Sequence, residues 1–360
     1  MKNKNKIYIG IVGVVFALLV LLVWFTPDSE HSASERRKLK QMPLLTWTTV
    51  FNGKFMSEFE SYNLDQFPFR DAFRSLKAMT SLKADNNDIY VVDGVINSMD
   101  YPLHVDSLEY VASRFENVYN MYLKDAGCDV FLSIIPDKNY FYGAGNGYLT
   151  VDYDALVSKV VEDNAYMTYL DIFPYLTGDD YYKTDTHWKQ ESIADVAKAL
   201  LDGMKNSVVA VYETVERQED FYGVYYGQAA LPLEPDKISY LTNAMIERFT
   251  AYDYQNGKEI PVYDTAKMTE DDPYELFLGG PLSLVTIENP VNTKGTHLIV
   301  FRDSFGSSIA PLLAQGYSKT TLIDIRYIHP MILKNFVDFT NADVLFMYST
   351  MVLNNSETLK

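Results

Sequence analysis

Residues 297–313 read HLIVFRDSFGSSIAPLL. The run from His297 to Phe301 is a short apolar stretch of the kind that forms a strand buried on both faces, and Ser307 to Leu313 has the character of a buried helix. Arg302–Gly306 is then a strand-to-helix turn. In an open α/β sheet such a turn lies at the carboxyl end of a strand, where ligands bind. Ser304 stands in it, with helix N-terminal amides aimed at the same spot and able to support a developing oxyanion.

The same alternation extends in both directions. Downstream, Thr321–Ile325 and Val344–Tyr348 read as strands, with a helix over Pro330–Phe336 between them. Upstream, helices are expected over 106–125, 154–162 and 188–204, and strands over Val130–Ile135, Met167–Ile172 and Val208–Tyr212. Asp93-Gly94 joins two β-like runs as a hairpin. Strands alternating with helices imply an α/β fold with a mostly parallel sheet flanked by helices. Residues 214–290 break the rhythm. They are rich in Tyr, Gly and Pro, with FYGVYYG at 221–227, and read as an insertion near the site.

The amino terminus has its own pattern. Residues 7–25 are uncharged and apolar, enough at helical rise to span roughly 30 Å of hydrocarbon. Lys2, Lys4 and Lys6 precede them, and Asp28 and Glu30 follow. The positive-inside rule then gives a cytoplasmic tail (1–6), a transmembrane anchor (7–25) and a juxtamembrane linker (26–45). Residues 46–360 are the expected catalytic domain. A cleaved signal peptide is the competing reading. The expectation is a single-pass protein of the cell membrane with its bulk extracytoplasmic. Helical spacing of Phe55, Phe59 and Tyr62, then of Phe73, Leu76 and Met79, predicts two helices over 54–84.

Composition narrows the function classes. The formal charge of −17 argues against a nucleic-acid partner. The single cysteine, Cys128, permits no intramolecular disulfide and lies in an apolar run without a cationic neighbour, as an inert thiol would. The five histidines form no cluster, no phosphate loop or dinucleotide fingerprint is present, and neither metal nor cofactor is expected. The 28 tyrosines fit strand caps and core edges, or the lining of a carbohydrate site.

A second stretch completes the chemistry. Thr184-Asp185-Thr186-His187-Trp188 stands just before a helix. Acyl transfer from a serine needs a base in hydrogen-bond reach, and the base needs a carboxylate to orient it. Asp185 and His187, two residues apart, can supply both to Ser304. The bland reading makes Ser304, Thr184 and Asp185 plain helix N-caps.

Thr184–Trp188 and the helix after it resemble the D-x-H-W signature of the alginate O-acetyltransferase-like group and the bacterial DHHW proteins. Asp303-Ser304-Phe305 resembles the nucleophile block of the SGNH hydrolase superfamily, and the order of the two blocks is the same. The likeness takes in Glu35-Arg36-Arg37-Lys38-Leu39, Asp65–Asp71 (DQFPFRD), Pro136-Asp137-Lys138, Leu278-Gly279-Gly280 and Asp324–Tyr327. It departs at Arg302, where a glycine is usual, and at Thr186, the middle histidine of DHHW. The resemblance implies an SGNH-hydrolase-like fold and, in the alginate-type members, O-acetylation of exported polysaccharides beside a membrane-bound O-acyltransferase. The usual glycine and asparagine of the oxyanion site are not identified; Gly279, Gly280 and Asn289 are candidates.

The expected function is therefore a serine O-acyltransferase that moves acetyl groups onto hydroxyls of an exported or cell-surface polysaccharide. Ser304, His187 and Asp185 are its catalytic residues, and Trp188, Arg326 and Lys138 are candidates for substrate binding. No soluble cofactor is needed if a membrane partner delivers the acyl group. Two rivals stand: a carbohydrate acetyl-esterase with the same triad, and a membrane-tethered glycan-binding or assembly protein that keeps the fold without turnover.

Overall fold

The computed structural model describes residues 2–32, 37–80, 88–270 and 272–360. The chain divides into two compact units, Met1–Asn86 with Tyr226–Pro232, and Asn87–Tyr225 with Leu233–Lys360.

The first unit is helical: Lys2–Phe25, Trp47–Phe51, Lys54–Asp65 and Arg70–Thr80. The DQFPFRD stretch has a local purpose. Asp65 accepts from the Lys40 amide (2.8 Å), while Gln66 both accepts from the Ser29 amide (2.9 Å) and donates to the carbonyls of Ser29 and Lys40 (each 2.9 Å). It fastens the preceding strands of chain to the end of a helix. Of the basic stretch at 35–39, Glu35 and Arg36 lie outside the described residues.

The expected membrane anchor requires correction. Among the described residues no helix is long and apolar enough to cross a membrane. The helix that covers the expected span, Lys2–Phe25, opens on three lysines. The single-pass placement at the cell membrane and the bilayer contact through residues 7–25 fall with it.

The second unit is built on an eight-stranded sheet. Its strands, numbered within the sheet, are β1 (Asp129–Ile135), β2 (Thr168–Tyr169), β3 (Thr250–Asp253), β4 (Lys258–Ile260), β5 (Leu284–Glu288), β6 (His297–Arg302), β7 (Lys319–Ile323) and β8 (Asp343–Ser349). The spatial order is β4-β3-β5-β7-β6-β8-β1-β2. Pairing is parallel from β7 through β2 and antiparallel from β4 through β7. The sheet is thus mixed, and the tract 214–290 is no mere insertion, because it supplies β3, β4 and β5. Strands β3 and β4 are joined by a short turn, and a short turn can join strands only antiparallel.

The residues of β6 alternate between two cores. Leu298 and Val300 face the helices Ala194–Gly203 and Phe305–Leu313, while Ile299 and Phe301 face Val105–Val118 and Tyr153–Asp163. Strand β8 alternates the same way, with Leu345 and Met347 on the first face and Val344 and Phe346 on the second. This is the period-2 pattern of a strand covered on both sides.

Where the expected strand Val208–Tyr212 should run, the chain is irregular, and Val209 and Val211 are exposed. Strand structure begins at Glu213 and pairs with Ser239–Thr242. Five of the tyrosines, Tyr90, Tyr181, Tyr182, Tyr317 and Tyr348, are fully buried.

Ile299 is buried in the central strand. Ile299→Ala is expected to lower the unfolding free energy by about 2–5 kcal/mol, read in urea as a lower midpoint at unchanged slope.

Candidate active site

Strand β6 ends at Arg302, and Ser304 opens the helix Phe305–Leu313. Two bonds from Asp303 set this turn: its carboxylate accepts the Phe305 amide at 3.0 Å and, from the neighbouring strand end, the Ser349 amide at 2.7 Å. Ser304 occupies the N-cap position, but its backbone is already helical and its side chain caps nothing. The hydroxyl points instead to His187, with Oγ 2.7 Å from Nε2.

His187 and Asp185 come from a tight loop closed by the Tyr182 amide donating to the His187 carbonyl (3.1 Å), with Tyr181 bridged to Trp188. The Asp185 carboxylate lies 2.6 Å from His187 Nδ1 and accepts the His187 amide at 3.0 Å through the same oxygen. Its other oxygen accepts the Val224 amide at 2.8 Å. Burial alone would raise this carboxyl's pKa. The adjacent imidazole, the hydrogen bond to it and the two amides outweigh burial and hold it well below the usual carboxylate range. Asp185 stays ionised at neutral pH and keeps a proton on Nδ1, so Nε2 faces Ser304 as an acceptor.

The Tyr274 ring lies flat on the imidazole, with centroids 3.8 Å apart and planes within 7°. The Tyr274 hydroxyl donates to Ser308 Oγ, which also accepts the Trp188 indole N–H (each 2.9 Å). Stack and network together fix the plane of the ring. Ser304 is partly exposed, whereas Asp185 and Tyr274 are buried behind it.

Of the other expected site residues, none reaches open substrate space as a free group. Trp188 is fully buried, edge-on to Phe305, and cannot floor a sugar. Lys138 is buried, and its ammonium donates to the carbonyls of Tyr182 (2.9 Å) and Lys183 (3.3 Å). Arg326 is held by both oxygens of buried Asp324, at 2.9 and 2.6 Å. Asn289 is committed to a turn, accepting from Val291 and Asn292 and donating to Ala314. It follows the end of β5 that pairs with Lys319, at the sheet edge opposite Ser304. Gly279 and Gly280 take left-handed backbone (φ +73° and +95°) in a turn.

The expected supply of helix N-terminal amides for an oxyanion is also reduced. Phe305 gives its amide to the Asp303 carboxylate and Gly306 gives its amide to the Asp303 carbonyl (3.1 Å), which leaves the Ser304 amide as this turn's donor. Arg302, standing where a glycine is usual, is fully buried. It donates to the carbonyls of Asp303 and Leu282 (each 3.2 Å) and lies 3.9 Å from Asp324. Its Cβ packs against Gly306, where an added side-chain carbon would stand 2.7 Å away. The burden of a missing glycine thus shifts to Gly306. Among the described residues no group of three His, Cys, Asp or Glu side chains is placed to hold a metal ion.

Sequence reasoning missed Gly223 and Val224, which back Asp185, and Tyr274, which stacks on His187. A side chain at Gly223 would meet Asp185 Cβ at 2.3 Å and Cα at 2.4 Å, so only glycine lets the Val224 amide come this close. The signal was the glycine inside FYGVYYG; its partner lies 38 residues upstream.

No family model matches the chain, and no curated protein is similar to it. Solved structures are. The chain is similar to a DHHW family protein from Eubacterium siraeum, with 21% identity over 75% of this chain and 93% of that one at a TM-score of 0.59. It is similar to Bacillus cereus PatB1 carrying a sulfonyl adduct (18% identity, 74% and 95% coverage, TM-score 0.57) and to PatB1 without it (18%, 74% and 96%, TM-score 0.56). The likeness to DHHW proteins drawn from the sequence therefore stands at the level of the fold.

Burial pushes the Lys138 ammonium down to about 7, despite the carboxylates of Asp185, Asp236 and Asp137 nearby. Its unfolded value is about 10.4. Between these values the unfolded chain binds more protons, so stability rises with pH. The cost of the buried charge is fully present below about pH 7. Urea unfolding between about pH 7 and 10 is expected to show this rise in the wild type and to lack it in Lys138→Met.

Proposed function

We infer that the chain is a serine acyltransferase that moves acetyl groups onto polysaccharide hydroxyls, with Ser304 as nucleophile, His187 as general base and acid, and Asp185 as the group that orients and charges the imidazole. The observation that carries this reading is the unbroken chain of short contacts, Ser304 Oγ to His187 Nε2 at 2.7 Å and His187 Nδ1 to Asp185 at 2.6 Å. The fold shared with a DHHW family protein and with PatB1 supports it. The acetyl group and the polysaccharide acceptor rest on the resemblance of Thr184–Trp188 to the alginate O-acetyltransferase-like group.

The steps follow from the geometry. His187 Nε2 takes the Ser304 proton as Oγ attacks the acyl carbon of the donor. The tetrahedral oxyanion lies within reach of the Ser304 amide, and the imidazolium is balanced by Asp185. The donor's leaving group departs with the proton from Nε2, and the acyl group remains on Ser304. A sugar hydroxyl then gives its proton to His187 and attacks the acyl carbon. Collapse of the second tetrahedral adduct returns the proton to Ser304 Oγ and releases the acetylated sugar. Water in place of the sugar would make the same site an esterase, so the partition between the two acceptors defines the enzyme.

Turnover of an activated acetyl ester in the presence of a glycan acceptor measures both. Ser304→Ala is expected to abolish acetyl transfer, by at least about 10³-fold, and Asp185→Asn to lower it by about 10³–10⁴-fold with the fold intact. Transfer to the glycan is expected to exceed hydrolysis. Wild-type turnover by Ser304→Ala overturns the enzymatic reading, and hydrolysis alone replaces the transferase with an esterase.

A further inference from the structure

Asp236 belongs to no part of the chemistry described above, lies 51 residues from Asp185 in sequence, and is buried. A buried carboxylate is retained only where its oxygens are satisfied. Those of Asp236 accept three donors from two consecutive residues: the Lys183 amide at 2.9 Å, the Thr184 amide at 2.8 Å and the Thr184 hydroxyl at 2.7 Å. The Asp236 backbone is in turn fixed by two reciprocal 2.9 Å hydrogen bonds to Phe221, whose ring packs edge-on against Tyr182.

We propose that Asp236 is a positioning residue for the triad: its carboxylate grips the backbone immediately before Asp185 and so sets the angle at which Asp185 meets His187. The proposal rests on the reading of Ser304, His187 and Asp185 as an acyl-transfer triad.

The grip reaches Asp185 by two routes. The first is covalent, since Thr184 is the residue before it. The second passes through the glycine tract: Thr184 Oγ1 accepts the Gly223 amide at 2.9 Å, the Tyr225 amide donates to the Thr184 carbonyl at 3.1 Å, and the Val224 amide between them donates to Asp185 at 2.8 Å. The orientation of the Thr184 hydroxyl therefore decides where the Val224 amide stands. On the other side of the same backbone, the Lys138 ammonium holds the carbonyls of Tyr182 and Lys183, and the Ile96 amide also donates to Lys183 (2.8 Å). The amides of Lys183 and Thr184 are thus held by the Asp236 carboxylate and the carbonyls of Tyr182 and Lys183 by Lys138, and the next residue is the triad carboxylate.

Asp236→Asn keeps one acceptor oxygen and turns a donor toward the loop. Thr184→Val removes the hydroxyl at constant shape, and Thr184→Ser retains it. Burst-phase kinetics with an activated acetyl ester count active sites separately from their rate. Asp236→Asn and Thr184→Val are expected to lower kcat per active site by about 10–100-fold, with KM within about twofold and burst amplitude equal to the folded fraction. Thr184→Ser is expected to restore the wild-type rate. Wild-type kcat per active site in Asp236→Asn and Thr184→Val, with only the melting temperature or burst amplitude reduced, overturns the proposal. Should Asp236→Asn fail to fold, Thr184→Val against Thr184→Ser decides. Ser304→Ala measured alongside separates the two levels: if it turns over normally, the triad reading fails; if it is inactive while the Asp236 and Thr184 variants turn over normally, the triad stands and the positioning role falls.

Discussion

A charged carboxylate kept out of water is the constraint around which the site is arranged. Removing Asp185 from solvent costs several kcal/mol unless its oxygens are met, and they are met by the His187 ring, the His187 amide and the Val224 amide. Each partner imposes a demand of its own. The imidazole contact requires the tight loop that returns His187 over Asp185. The Val224 contact requires a residue without a side chain at Gly223, where any Cβ would collide with Asp185. The ring's plane, set by Tyr274, then decides where Nε2 points, and Ser304 lies along that line.

The sheet makes this arrangement rigid by ending three neighbouring parallel strands, β6, β8 and β1, on the same side. Asp303 after β6 accepts from Ser349 at the end of β8, and Asp137 after β1 accepts from Thr350 (2.7 Å) just beyond β8. Carboxylates thus cross-link adjacent strand ends below Ser304. The parallel strands bring them together because their registers match: Arg302 is opposite Met347, and Ile135 is opposite Ser349. The antiparallel strands of 250–288 extend the sheet; the chain before them carries Gly223 and Val224 to the site, and the segment between β4 and β5 carries Tyr274.

What the sequence conveys and what it hides divide along local and distant contacts. Ser304 in a strand-to-helix turn, and Asp185 two residues before His187, are local patterns, and the structure brings the three together. Local pattern could not say that Trp188, Lys138 and Arg326 face inward, because their environments are made by residues far along the chain. The valine-rich run Val208–Val211 has strand propensity but pairs with no strand among the described residues, so it remains irregular, with Val209 and Val211 exposed. The hydropathy of residues 7–25 suggested a bilayer span that the described helix does not provide. The strands of 250–288 alternate too briefly to announce that they join the main sheet, and Asp236 gives no sequence sign of its reach to Thr184.

The central claim is that Asp185, through His187, makes the Ser304 hydroxyl a nucleophile. The most direct measurement is covalent trapping with an aryl sulfonyl fluoride, followed by peptide mapping of the wild type and of His187→Gln. The account requires a single adduct on Ser304 in the wild type and a rate of labelling that collapses in His187→Gln. Labelling at another residue, or equal labelling of Ser304 in both proteins, would contradict it.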